Sequence, residues 1–415
     1  MIATSPGGGV EVTEEGDIKY HTTGDTVGAK SGSTDDNNRG TTKAKSSSTD
    51  DWFSSLSINK TLLSFVDMPC GDLSAAMEFS ESWGSLSRGR VLQLTEGDIK
   101  INYRSPLGSG AFCNVYPVYL KHPNTHEFTL GPVALKSLKT SVVSRDKTAA
   151  KHAIEDLRRE AEILGDLAHS NVIDLYGVSN KNKVEDDKTF IVIEMLKGTL
   201  DSRLDIWSKG KGKFQKFAPA DLVTVRLREV ALGIVQGMQY LHSKNILFRD
   251  LKPDNIGFDG KDNVRLFDFG LALKLPSPDI KCKGLAGTVR YMAPECGGEF
   301  YGLSSDVYSF AILLWQIITT KLPFKHELSN FSDNVLPKDK RPALKHIQSE
   351  NLQSLLEISW AARPDDRPTF AKIHREIRKI ADSSIVMPLP HKQPVKKDQK
   401  KQRTIMLKSS LFFRG

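Results

Sequence analysis

The chain has 415 residues, 39% hydrophobic and 26% charged, which suits one large domain or two smaller ones carrying tails. Its formal charge of +8 is unevenly placed: residues 1–88 hold 7 Lys/Arg against 13 Asp/Glu, and residues 386–415 hold 8 against 1. The longest apolar run, Phe310 to Ile318, is short and broken by Gln316, so no membrane span is expected.

The first residues lack a basic start followed by an apolar stretch, so secretion is not expected. Cys70, Cys113, Cys282 and Cys296 lie far apart with no metal-type pairing, which points to a reduced, intracellular setting. The expected location is cytoplasmic, with nuclear entry through the basic tail as the alternative. No receptor, ankyrin or other accessory domain is recognisable.

In chain order, residues 1 to about 50 are rich in Gly, Ser, Thr and Asp and cannot bury enough apolar surface to offset their conformational entropy. They contain a short imperfect repeat, K-S-G-S-T-D-D from Lys30 and K-S-S-S-T-D-D from Lys45, which reads as local duplication in a linker. Residues 51 to about 95 are mixed and are predicted to add short pieces to a core, so 1–95 is read as an acidic, largely disordered leader. From Ile99 to Glu194, extended β-branched segments alternate with Gly and polar turns, interrupted by one helical stretch over 147–168. Beyond Leu200 the periodicity is mainly helical, at 219–243, 305–320 and 351–361. A β-rich part followed by an α-rich part predicts an α+β, bilobal fold with a cleft between the lobes. The last segment, 384–415, reads as a solvated basic tail; an acidic partner or anionic lipid is the competing reading.

The chemistry lies in a series of short motifs. In L-G-S-G-A-F-C-N-V, from Leu107 to Val115, Gly108 and Gly110 allow a hairpin backbone to approach an anionic ligand with its amides. A plain hairpin turn would also have this composition. V-A-L-K closes an apolar strand at Lys136, a cation that needs a partner anion, either a ligand phosphate or a carboxylate, and R-R-E-A-E-I-L offers Glu160 on the following helix. F-R-D-L-K-P-D-N then places a base (Asp250), a cation (Lys252) and an amide (Asn255) on one short loop. D-F-G at Asp268 to Gly270 adds a carboxylate at a strand end, and A-P-E follows from Ala293 to Glu295. Each fragment alone has a bland reading; their order and spacing do not.

Residues from about 100 to 383 resemble the eukaryotic protein kinase superfamily on these motifs. The resemblance implies a kinase domain over 99–383, with an N-lobe (99–194) of β-strands and one helix, a hinge at 194–197 and a mainly helical C-lobe (198–383). It implies that Lys136 holds the α/β-phosphates of ATP and pairs with Glu160. Asp268 and Asn255 would hold Mg²⁺, or Mn²⁺ in its place, and Asp250 would take the proton of the substrate hydroxyl while Lys252 steadies the transferred group. Leu107, Val115 and Ala134 would roof the adenine pocket, Ile193 would stand as gatekeeper, and the backbone from Glu194 to Leu196 would read adenine. D-L-K-P-D-N with Lys252, and G-T-V-R-Y-M-A-P-E with Thr288, resemble serine/threonine kinases. The run S-D-V-Y-S-F-A-I-L-L-W from Ser305, with R-P-D-D-R-P-T-F from Arg363, resembles the tyrosine-kinase-like group. Arg367 is then expected to pair with Glu295, and Asp306 to brace the catalytic loop. Protein substrates bearing Ser or Thr are implied, specific nucleic acid is not, and the oligomeric state is not indicated.

Three positions depart from the family pattern: Cys113, Phe248 and Gly257. Phe248 stands where a His is usual and is expected to stack on Phe269. Gly257 removes apolar contacts beneath adenine, each worth roughly 0.8 kcal/mol if fully buried, unless a neighbour such as Phe258 fills the gap. On that reading Gly257→Leu would improve ATP binding. Between Gly270 and Thr288 the only hydroxyl side chain is Ser277, so the activation segment either uses Ser277 or orders without phosphate. The competing readings are a pseudokinase or scaffold module with weak ATP binding, and a small-molecule kinase, which the peptide-shelf segment around Thr288 disfavours.

Overall fold

In the computed structural model of this chain, the β-branched segments pair into a seven-stranded sheet with a helix packed behind it. The structure describes residues 10–12, 18–20 and 91–383, apart from 105, 111, 123–125, 146, 183, 185–187, 211–220, 298–299 and 326–339. Most of the leader, with its repeat and the mixed segment 51–90, and the whole basic tail lie outside the described residues. Val10–Val12 (β1) and Ile18–Tyr20 (β2) form an isolated antiparallel pair.

The sheet runs in the order Leu92–Leu94 (β3), Leu175–Ser179 (β8), Phe190–Glu194 (β9), Phe128–Leu138 (β7), Cys113–Lys121 (β6) and Ile99–Ile101 (β4), with Gly108–Ser109 (β5) paired to β6. All pairs are antiparallel except β3 with β8. β3 thus begins the sheet seven residues before Ile99, where the sequence pattern first reads as extended. β9, F-I-V-I-E, is buried at every position because it lies between two strands, which explains its unbroken apolar run. Val118, Leu120, Val133, Leu135 and Val192 close the core on one face of this sheet.

A short helix, Thr140–Arg145 (α1), leads into Lys147–Gly165 (α2). α2 buries Ala150, Ala153, Ile154, Leu157, Glu160, Ile163 and Leu164, a stripe at three- and four-residue spacing, so a single acid is carried into the apolar face. That acid is Glu160.

The second lobe is helical. Leu200–Ser208 (α3) is capped by Thr199, whose hydroxyl accepts the Ser202 N–H. A longer helix, α4, joins Leu222–Arg226 through a π-helical turn, Leu227–Ala231, to Leu232–Ser243. Ser304–Thr319 (α5) runs through the middle of the lobe with every residue from Ser305 to Ile318 buried, and it ends where Thr320 takes a left-handed conformation (φ 55°). Glu350–Ser359 (α6) and Phe370–Ser383 (α7) pack around it. α7 was not read from the sequence, although Phe370, Ile373, Ile377 and Ala381 form its buried stripe. Short strands Gly198–Thr199 (β10), Ile246–Leu247 (β11), Ile256–Phe258 (β12), Val264–Leu266 (β13) and Leu273–Lys274 (β14) form a three-stranded sheet in the order β10–β12–β13 and a separate pair, β11–β14. Among the described residues no helix is long and apolar enough to cross a membrane.

One ion pair ties the end of the activation segment to the bottom of the helical lobe. Arg367 Nη1 and Nη2 donate to Glu295 Oε1 and Oε2 at 2.6 and 2.9 Å, and its Nε donates to the Ala361 carbonyl at 2.9 Å. Both side chains are buried, so either one left alone would be a desolvated charge. Arg367→Ala is expected to lower the unfolding free energy by about 3–5 kcal/mol, read from urea denaturation; a loss below about 1 kcal/mol would match an exposed pair instead.

Candidate active site

The site is assembled around a carboxylate that no solvent reaches. Asp306, at the start of α5 and 0% exposed, accepts the backbone N–H groups of Phe248 and Arg249, each at 2.9 Å. His242, at the end of α4, places Nε2 3.0 Å from the same carboxylate and sets its ring edge-on to Phe370. Arg249 consequently sits at φ 68°, a left-handed conformation that a non-glycine residue adopts only when its surroundings hold it there. This turn directs the next residue, Asp250, into the cleft.

Asp250 is embedded in a short polar network. Its Oδ1 accepts the Thr288 hydroxyl at 2.7 Å, and its Oδ2 accepts the Asn255 amide at 2.9 Å. Lys252 Nζ lies 2.8 Å from Asp250 Oδ2 and donates to Thr288 Oγ1 at 2.9 Å. Although burial opposes its charge, Asp250 raises the Lys252 ammonium above its ordinary range, so it stays protonated. Thr288 arrives from the activation segment because Gly287 allows the close approach. Gly287 has φ 110°, and a Cβ there would meet the Arg249 carbonyl oxygen at 2.3 Å.

The second charge cluster joins the lobes. Lys136 on β7 reaches Glu160 Oε2 on α2 at 2.6 Å and Asp268 Oδ1 at 2.9 Å. Burial opposes its charge, but the Asp268 and Glu160 carboxylates hold the Lys136 ammonium well above the usual lysine range. Lys136 in turn holds the Asp268 carboxyl below its ordinary value. Asp268 is at φ 65°, and behind it the Phe269 ring is fully buried, 5.1 Å centroid to centroid from Phe248 at 79°. Phe248 therefore stacks on Phe269 edge-to-face. Hydrogen bonding from His242 and the backbone N–H groups serves Asp306 without any imidazole at position 248.

Asn255 is 0% exposed, and while its amide nitrogen is held by Asp250, its oxygen Oδ1 is buried with no hydrogen-bond partner. An orphaned, buried amide oxygen suits a hard cation with oxygen ligands, and the Asp268 carboxyl, held below its ordinary value by Lys136, is an oxygen donor of the same kind. Among the described residues no group of three or more His, Cys, Asp or Glu could cage a metal unaided. A divalent ion here would depend on phosphate oxygens for the rest of its shell, as magnesium does in nucleotide sites.

Above the cleft, Leu107, Val115 and Ala134 belong to one apolar cluster with Ile193, Met195 and Leu196. Gly108 pairs with Val115 in the β5–β6 hairpin; among the described residues beyond the chain neighbours, none lies within 4 Å of a Cβ built on Gly108, and a Cβ on Gly110 meets the Cys113 carbonyl oxygen at 3.8 Å. The loop backbone is thus open to an approaching phosphate. The Glu194 side chain reaches Arg265, Nε to Oε2 at 3.1 Å, and burial raises its carboxyl to about 7. Its N–H donates to the Asp174 carbonyl at 3.0 Å, and that of Lys197 to Phe258 at 2.8 Å. Met195 and Leu196 lie between these two anchors.

Gly257 does not leave the gap expected from sequence. A Cβ built on it would lie 2.3 Å from Leu196 Cδ1 and 3.3 Å from Phe267 Cδ1, so the space is already occupied. Phe258 is not the filler: it is buried on the opposite face, with the Arg203 guanidinium 3.2 Å from its ring centroid.

The activation segment is held by neutral groups where a phosphate would be sought. Arg249 Nε donates to the Leu271 carbonyl, and the guanidinium lies against Cys282 and Tyr301. Cys282 and Tyr301 exchange backbone hydrogen bonds in both directions at 2.8 and 3.0 Å. β11 and β14 add the pairs Ile246↔Lys274 and Leu247↔Leu273. Burial pushes the Cys282 thiol up, so it is an inert packed cysteine here. Phe267, Tyr301 and Arg265 were not singled out by sequence, since their roles are contacts with distant segments.

Comparison with known proteins agrees with this geometry. A family profile described as "Protein kinase domain" matches residues 101–377. The chain is 30% identical to the dual specificity protein kinase shkB of Dictyostelium discoideum over 68% of its own length and 40% of the relative's. It is 31% identical to the serine/threonine-protein kinase STY17 of Arabidopsis thaliana, covering 60% of this chain and 41% of that one. It is 27% identical to the serine/threonine-protein kinase-transforming protein mos of Moloney murine sarcoma virus, covering 67% and 73%. The chain thus spans about two fifths of the length of the first two curated relatives.

Proposed function

The chain belongs to the protein kinase family, and on that premise we propose that it is a serine/threonine kinase of the tyrosine-kinase-like type, moving the γ-phosphate of ATP to protein hydroxyls. The observation that carries this reading is the network joining Lys252, Thr288 and Asp250, with bonds of 2.7 to 2.9 Å. It sets an acceptor carboxylate and a cation side by side on one loop, with a threonine hydroxyl from the activation segment bonded to both.

In this reading Asp250 accepts the substrate hydroxyl proton, for which it is the cleft carboxylate not paired with Lys136. Lys252 neutralises charge developing on the transferred group. Lys136, positioned by Glu160, holds the α- and β-phosphates, and the amides about Gly108 and Gly110 cover them. Leu107, Val115, Ala134 and Leu196 enclose adenine, with the hinge backbone beside Glu194 reading its edge. Asp268 and Asn255 would hold a divalent ion, Mg²⁺ being favoured over Mn²⁺ by its abundance and its habit of binding through few protein oxygens; such an ion supplies charge neutralisation and alignment of the phosphates. The catalytic unit is proposed as 99–383, joined at its edge by β3.

Purified chain incubated with labelled ATP, Mg²⁺ and a generic protein substrate is expected to yield phosphoserine and phosphothreonine. Asp250→Asn should cut that rate by about 10²–10⁴-fold with little change in nucleotide binding. Product confined to phosphotyrosine, or an equal rate in the variant, would defeat the assignment. Because Arg249 is engaged by protein groups, phosphatase-treated chain and Ser277→Ala are expected to retain the untreated rate. Loss of activity in both would show that Ser277 phosphate orders the segment.

A further inference from the structure

The glycine beneath the cleft and the leucine of the hinge form a single construction. In β12, Ile256 and Phe258 are both fully buried, so strand alternation turns position 257 to the other face, shared with its cross-strand partner Arg265. That is the hinge side, where Arg265 meets Glu194. The hinge exit is fastened directly over this position: Gly198 pairs with Phe258, Thr199 pairs with Gly257, and the Lys197 N–H donates to the Phe258 carbonyl at 2.8 Å. Leu196, one residue earlier, is drawn down onto the strand. Its Cδ1 and Cγ lie 2.3 and 3.3 Å from a Cβ placed on Gly257, and Phe267 Cδ1 lies at 3.3 Å. Any side chain at 257 would displace Leu196.

We propose that Leu196 replaces the missing side chain of residue 257 as the apolar floor under adenine, with Phe267 closing its inner end. The proposal rests on the nucleotide-binding reading above. Leu196 is only partly buried, as are Leu107 and Val115 of the roof, so apolar surface remains on both sides of the space for a flat base. The floor is then carried by the hinge and not by the catalytic lobe's sheet. Residues 196 and 257 act as a matched pair: a large side chain fits at either position, but not at both.

The test is titration of the full chain with a fluorescent adenine nucleotide and Mg²⁺, together with KM for ATP, kcat and the melting temperature without nucleotide. Leu196→Ala is expected to weaken binding and raise KM about tenfold while kcat and the melting temperature hold. Gly257→Leu alone should also weaken binding, since two leucines compete for one space. The double variant Leu196→Ala/Gly257→Leu should recover most of the wild-type affinity. The proposal is overturned if Leu196→Ala binds as tightly as wild type, if kcat and melting temperature fall along with affinity, or if the double variant is no better than Leu196→Ala. A wild-type chain that binds no adenine nucleotide would overturn the kinase reading and this proposal with it, whereas failure of the variants to behave as stated while the wild type binds would overturn this proposal alone.

Discussion

Asp306 is the group on which the catalytic geometry depends. A carboxylate buried without counter-charge would be costly, and this one is satisfied by two backbone N–H groups and His242. Those bonds hold Arg249 in a left-handed turn, and the turn determines where Asp250 projects and where Phe248 packs. Since α5 is buried from Ser305 to Ile318, the loop is referenced to a rigid element and not to the surface.

The same logic of fully partnered charge governs the cleft. Lys136, Glu160 and Asp268 come from β7, from α2 and from the loop after β13, and each is tolerable only when the others are in place. Their meeting thus couples the position of α2 to that of the Asp268 turn. Phe269, fully buried behind Asp268, adds an apolar contact that also requires the turn to face inward. A shift of either element would leave a buried charge unpaired and an aromatic surface exposed.

Two departures from the family pattern turn out to be compensated by packing. Position 248 loses an imidazole, yet the backbone bonds and His242 keep Asp306 satisfied, and the Phe248 ring gains an aromatic partner. Position 257 loses a side chain, yet Leu196 and Phe267 fill the space. In each case the volume or the hydrogen bond is supplied by a residue of another segment, as close packing of interiors demands.

The sequence by itself named the candidate groups of the site and showed which face of each long element is buried. Gly108, Lys136, Glu160, Asp250, Asn255 and Asp268 were legible as candidates because the order and spacing of their motifs resemble those of protein kinases. The two lobes were legible because strand and helix periodicities differ; β3 lies in the segment expected to add short pieces to the core, while α7 has no counterpart among the helical stretches read from periodicity. Only the tertiary structure decided that Glu194 turns to Arg265, that Cys282 and Tyr301 pair beside Arg249, and that Leu196 lies over Gly257. These are contacts between segments far apart in the chain, or set by the exact register of a short strand pair. Their partners are chosen by packing and register, which leave no periodic or compositional trace in the sequence.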